Sequence, residues 1–204
     1  MTSVVPQDDL IHQQILKAAI RLYQKHGPDS ITMDDLAAAT GRSRTSLYYY
    51  YKNRDEIYDA VMGKIAADMA VEIRRAVATV ETLYDKIFAF CDAKLRASKE
   101  WKKVFAAMLS STDGEEQSKH QKTLYNWHKK VVYNESTILN EILTNATRRK
   151  EMRPISAGDQ DTLVFLVYSG IRGMRREIDE LDDPHDMNTA LRLLTDMVFN
   201  WLKK

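Results

Sequence analysis

Apolar residues recur every three or four positions along almost the whole of this chain, and nowhere do they alternate singly with polar ones between turn residues. That period places the apolar side chains on one face of a helix and leaves no half-buried strand to build a sheet from. With only 7 Gly and 4 Pro in 204 residues, there are few points at which a helix must stop. The expectation is an all-α fold of about nine helices, with an N-terminal helix-turn-helix domain followed by a larger helical domain.

The segments follow from stripes and stop signals. A first helix over 8–26 carries Ile11, Ile15, Ala18, Ala19, Leu22 and Tyr23, and Gly27-Pro28 ends it. Thr32 caps a short second helix that Gly41 closes, Ser43 caps a third over 44–50, and Asn53 with Glu56 opens a fourth as a capping box. Ile57, Val61, Ile65, Met69, Ile73 and Val77 stripe the fourth. Leu83 to Leu95 predicts a fifth helix, Trp101 to Leu109 a sixth, and Ser110 to Lys119 a polar loop. Leu124 to Ile142 predicts a seventh, Leu163 to Ile178 an eighth, and Met187 to Trp201 a ninth that Pro184 can open as its first residue.

Charge and composition narrow the function. Lys+Arg is 30 against 29 Asp+Glu, so any nucleic-acid surface must be a local patch. A single cysteine leaves no intramolecular disulfide and no Cys-based zinc cluster; Cys91, on an apolar stripe, reads as a small buried hydrophobe. The N-terminus lacks a basic segment followed by an apolar one, and no apolar run approaches the length of a membrane span, so a cytoplasmic location is expected. There is no phosphate-binding loop, no HExxH, no paired-carboxylate motif and no nucleophile elbow, so no enzyme and no cofactor are expected. Asp179, Glu180, Asp182, Asp183, His185 and Asp186 lack metal-ligand spacing, and capping explains Asp183, so no metal is expected.

The segment Ile31 to Arg54 is the most informative. It reads helix, Gly-containing turn, helix, with Ile31, Leu36, Ala39 and Leu47 facing inward. Within it, residues 40–54 hold Arg42, Arg44, Lys52 and Arg54 and no acid. The positive charge is thus concentrated at one place in a near-neutral chain, as binding to phosphates requires. Arg44 and Thr45 stand at the N-terminus of the second helix of the pair, where base edges are met in the major groove. Arginine can pair bidentately with guanine, and threonine can hydrogen-bond or touch a thymine methyl. Tyr48 to Tyr51 splay around the helix, so two face the core and two can reach DNA.

These residues resemble a known family. Leu16-x-Ala18-Ala19-x-x-Leu22-Tyr23-x-x-x-Gly27, then Ile31-Thr32-x-x-x-Leu36-Ala37, then Gly41-x-Ser43-x-x-Ser46-Leu47-Tyr48-x-Tyr50-Tyr51-Lys52-Asn53-Arg54-x-x-Ile57 is similar to the TetR family of bacterial transcriptional repressors over about residues 11–62. Tyr23 and Tyr51 stand where the family often has Phe, and Ser46 where it often has Thr. The resemblance implies DNA binding by residues 1–54. It implies a helical ligand-binding and dimerisation domain over 55–204, and release of an operator when a small molecule binds. It further implies that Thr32 touches phosphate, that Arg42, Arg44, Thr45 and Tyr49 meet bases or groove edges, and that Tyr48 and Lys52 anchor the DNA backbone, with Leu47, Tyr50 and Tyr51 in the core.

For the second domain the residues themselves give the expectations. The last two helices carry more apolar surface than one neighbour can cover, and Gly170 and Gly173 permit close approach, so a homodimer through them is expected. Such a dimer would read an inverted repeat with half-site centres about 34–36 Å apart or a multiple of that. Candidate pocket residues are the aromatics Phe88, Trp101, Phe105, Tyr125, Phe165 and Tyr168. His128 and Glu135 lie two turns apart on the apolar stripe of the seventh helix. Glu135 there either pairs with a base such as Arg172 or anchors a ligand. A helix-turn-helix protein controlled by a protein partner, with a filled core instead of a pocket, is the alternative.

Overall fold

The computed structural model describes residues 7–28, 30–109, 114–181 and 184–203, with side chains described at all of these except 7, 102–122 and 179–180. Among the described residues there are eight α-helices and no strand. They are α1 (Gln7–His26), α2 (Met33–Thr40), α3 (Arg44–Tyr50), α4 (Arg54–Ala78), α5 (Leu83–Leu109), α6 (Gly114–Arg148), α7 (Ala157–Arg175) and α8 (Met187–Leu202), with one π-helical turn at Arg176–Glu180. The count is eight because the expected fifth and sixth helices are one: no Gly or Pro lies between Leu95 and Trp101 to interrupt it. The expected loop at 110–119 is also helical from Gly114 onward. Asp186, not Pro184, sets the start of α8, its side chain accepting from Thr189 N at 2.8 Å. The capping proposed for Asp183 falls outside the described residues.

The chain forms two compact units, Met1–Ala66 with Glu100–His128, and Ala67–Lys99 with Lys129–Lys204. In the first, Ile15 and Tyr23 of α1, Leu36 of α2, Leu47 of α3, and Ile57 and Val61 of α4 are fully buried. The helix-turn-helix is cut by its caps. Thr32 Oγ1 accepts from Asp35 N at 3.2 Å while Asp35 Oδ2 accepts from Thr32 N at 2.8 Å. Gly41 takes φ 64°, and the Arg42 N–H closes on the Ala37 carbonyl at 3.0 Å. Two residues later Ser43 Oγ accepts from Ser46 N at 3.1 Å and α3 begins. At α4, Asn53 Oδ1 accepts from Glu56 N at 2.9 Å, but Glu56 Oε2 reaches past the cap to the Lys52 N–H at 2.7 Å. That bond ties the end of the α3–α4 connection to the new helix.

The second unit is built on a continuous apolar core that includes Ile73, Ile87, Phe90, Ile138, Leu143, Val167, Leu191 and Leu202. Cys91 is part of it, and burial pushes its thiol up to about 12, which leaves it unreactive at neutral pH. Arg153 ties down the end of α8, its backbone N–H on the Leu202 carbonyl at 2.9 Å and its Nε on the Trp201 carbonyl at 2.8 Å. On α7, Leu163, Val164 and Val167 point inward, while Phe165 and Leu166 are exposed. On α8, Leu193, Met197 and Trp201 are exposed. Gly170 faces Leu194 of α8: a methyl there would sit 3.6 Å from it, and one at Gly173 would meet nothing within 4 Å.

Candidate nucleic-acid interface

The side chains of α3 divide as helix geometry requires. Leu47 and Tyr51 are buried, Tyr50 is half-buried, and Tyr48 and Tyr49 are exposed, Tyr49 at 78%. The two inner tyrosines are latched to α1: Tyr51 Oη lies 3.1 Å from His12 Nδ1, and the Tyr50 hydroxyl donates to Asp8 Oδ1 at 3.1 Å. The His12 ring meets both tyrosines edge-on, at 4.9 and 5.3 Å. These bonds hold α3 at a fixed rotation, so that its outer face is Arg44, Thr45, Tyr48 and Tyr49. His12 was not foreseen from the sequence; its place beside Ile11 and Ile15 on the α1 stripe was the available signal.

Arg44 is the most structured residue of that face. Its Nη1 pairs with Asp34 Oδ2 at 3.0 Å, its Nη2 donates to the Tyr48 hydroxyl at 3.2 Å, and its guanidinium stands 5.6 Å from the Tyr48 ring centre. Arg42 donates to Gln14 of α1 at 3.1 Å, and its Nε is buried without a hydrogen-bond partner. Thr45 and Lys52 are exposed. Thr32 is exposed too, but its hydroxyl belongs to the cap, donating to Asp35 Oδ2 at 2.6 Å; those bonds hold the Asp35 carboxyl below its ordinary range. The expected basic face therefore includes one acid, Asp34, that the charge count over residues 40–54 did not cover.

The expected pocket residues fall in both compact units. Trp101, Tyr125 and His128 belong to the first unit, and Phe88, Glu135, Phe165 and Tyr168 to the second. Trp101, Phe88 and His128 are half-buried, while Tyr125 and Phe165 are exposed at 58% and 64%. Phe105 lies outside the described side chains. Glu135 and Tyr168 do converge, through a residue the sequence reading passed over. Lys94 is buried, bonded to Glu135 Oε2, with its ammonium 4.3 Å from the centre of the Tyr168 ring. Glu135 thus pairs with Lys94 and not with Arg172, which lies 5.8 Å from the Tyr168 ring. Lys94 sits three residues after Cys91 on the α5 stripe, a spacing that signals burial. Burial pushes the Glu135 carboxyl up and the Lys94 ammonium down, and Glu135 Oε1 has no hydrogen-bond partner. A separate cleft of about 240 Å³, whose lining includes Val77, Leu83, Ile138, Ile142 and the paired Arg74 and Glu141, is lined by none of the expected residues.

A helix-turn-helix whose second helix presents arginine, threonine and tyrosines at its outer face defines the class: a DNA-binding domain of the regulatory type. Residues 15–61 match the profile "Bacterial regulatory proteins, tetR family". The chain is 39% identical over 71 residues to the uncharacterized HTH-type transcriptional regulator YvaF of Bacillus subtilis, a match spanning 35% of this chain and 36% of that one. It is 40% identical over 45 residues to the biofilm operon icaADBC HTH-type negative transcriptional regulator IcaR of Staphylococcus epidermidis, spanning 22% and 24%. The chain thus spans about a third or less of the length of these two relatives. A TetR transcription regulator from Haloarcula marismortui shares the fold at a TM-score of 0.64 and 16% identity, over 95% of this chain and 97% of that one. Over residues 15–61 the chain is similar to the TetR family of bacterial regulatory proteins.

Proposed function

We propose that this protein is a dimeric, ligand-responsive regulator of transcription that represses by binding an inverted-repeat operator. The observation that carries the reading is the outer face of α3, where Arg44, Thr45, Tyr48 and Tyr49 stand clear of the core on a helix fixed by its caps and by His12 and Asp8. Residues 1–54 supply DNA binding and 55–204 regulation. Arg44 and Thr45 read bases, with Arg42 and Tyr49 at the groove edges. Thr32, Tyr48 and Lys52 hold phosphates. The protein works in the cytoplasm, without catalysis; among the described residues no helix is long and apolar enough to cross a membrane.

Two copies associate through α7 and α8. The exposed Phe165, Leu166, Leu193, Met197 and Trp201 support this, since exposed apolar side chains gathered on one pair of helices mark an interaction surface. The effector is a largely apolar molecule with a hydrogen-bond donor or cationic group for Glu135, whose Oε1 is buried and unpartnered. Its binding favours an arrangement of the dimer that fits the operator poorly, and by linkage the operator weakens effector binding by the same factor. Selection of duplexes from random DNA by the purified protein tests the reading: an inverted repeat should emerge, bound by two copies. Recovery of no preferred sequence overturns it. A thermal-shift screen then supplies an effector, whose affinity should fall in Glu135→Gln while operator binding persists.

A further inference from the structure

We propose that Asp34 is a positioning residue for base readout: it holds Arg44 toward a guanine and away from the phosphates. The inference rests on the DNA-binding reading above. Asp34 is exposed on α2 and takes no part in the cap of that helix, which Thr32 and Asp35 complete between them. Its carboxylate is instead spent on Arg44 of the next helix, at 3.0 Å. The Tyr48 hydroxyl takes the other terminal nitrogen at 3.2 Å. The guanidinium is therefore gripped from two sides by partners on α2 and α3, each of which belongs to the helix-turn-helix.

Two consequences follow from the chemistry. Arginine has five N–H donors, and the two bonds leave a second hydrogen on each terminal nitrogen and the one on Nε. Donors thus remain for the O6 and N7 acceptors of guanine. The grip also removes side-chain freedom that an exposed arginine would otherwise lose on binding. The second consequence is electrostatic. A carboxylate beside Arg44 repels an approaching phosphate, whereas a guanine edge is neutral and carries no such penalty. A free arginine on this face would bind backbone at every sequence; an arginine paired with Asp34 is biased toward the base.

The test compares DNA selected from a random duplex pool by the wild type and by Asp34→Ala, Asp34→Asn, Arg44→Ala and the Asp34→Ala/Arg44→Ala double variant, with thermal melting as the check on folding. The wild type should select guanine at one position of each half-site. Asp34→Ala should lose about tenfold of that preference, within the range of one bidentate contact, and Asp34→Asn, which still accepts a hydrogen bond, should keep part of it. The double variant should match Arg44→Ala, because Asp34 acts only through Arg44. Unchanged guanine preference in Asp34→Ala overturns the inference, as does a rise in affinity for random DNA with the preference intact. An additional loss in the double variant overturns it too, since Asp34 would then touch a base itself. If the wild type selects no sequence, the DNA-binding reading fails along with it.

Discussion

Arg44 and Lys52 carry the same charge eight residues apart, yet they stand in different surroundings. Arg44 is held by Asp34 and Tyr48 on the outer face of α3, and Lys52 extends from the α3–α4 connection. Arg44→Ala should weaken binding to a selected operator by about 1–3 kcal/mol and binding to random duplex far less, measured side by side by fluorescence anisotropy. Lys52→Ala should weaken both alike and lower the slope of log affinity against log salt by about one. The buried pair behaves differently. Removing only Lys94, as in Lys94→Met, strands a carboxylate in the core beside Cys91 and Tyr168, and should cost about 3–5 kcal/mol in chemical denaturation. Lys94→Met with Glu135→Met removes both desolvated charges and should recover most of that loss. Burial pushes the Glu135 carboxyl up and the Lys94 ammonium down, because it disfavours the charged form of each partner.

At the scale of elements, the separation of α2 from α3 depends on a single left-handed residue. Gly41 at φ 64° ends α2, and Ser43 can then start α3 in a new direction. A methyl at Gly41 meets nothing within 4 Å, so the cost of Gly41→Ala is conformational and not steric. It should amount to about 1–2 kcal/mol in urea denaturation, with Gly41→Asn losing less because asparagine tolerates that region. The same logic read backward explains the merging of the expected fifth and sixth helices. Residues 96–100 are polar except for the buried Ala97, but none of them is Gly or Pro, and polarity alone does not stop a helix.

At the scale of the whole molecule, the exposed apolar residues of α7 and α8 support the proposal that two copies associate. Sedimentation should give twice 23.5 kDa, and Leu193→Glu with Met197→Glu should give the single-chain mass. Those variants should keep the helical content of the wild type, since both positions are exposed in the single chain. Their operator affinity should collapse, because each half-site would be bound alone.

By itself the sequence determined whatever depends on near neighbours along the chain. The caps at Thr32 and Ser43, the turn at Gly41, the helical period and the inward Leu47 are all set within a few residues, by hydrogen bonds and backbone sterics that involve no distant partner. The family resemblance was legible for the same reason, being a pattern of caps, turn and aromatic residues over one short segment. Only the tertiary structure decided which groups meet across helices. It paired Glu135 with Lys94, 41 residues away, set Asp34 against Arg44, and bound Tyr50 and Tyr51 to Asp8 and His12 of α1. The stripe of a helix says which side is buried, but the partner on that side is chosen by packing angle and rotamer, which periodicity does not encode. That is also why the expected aromatics, each correctly placed on a helix, were divided between two compact units.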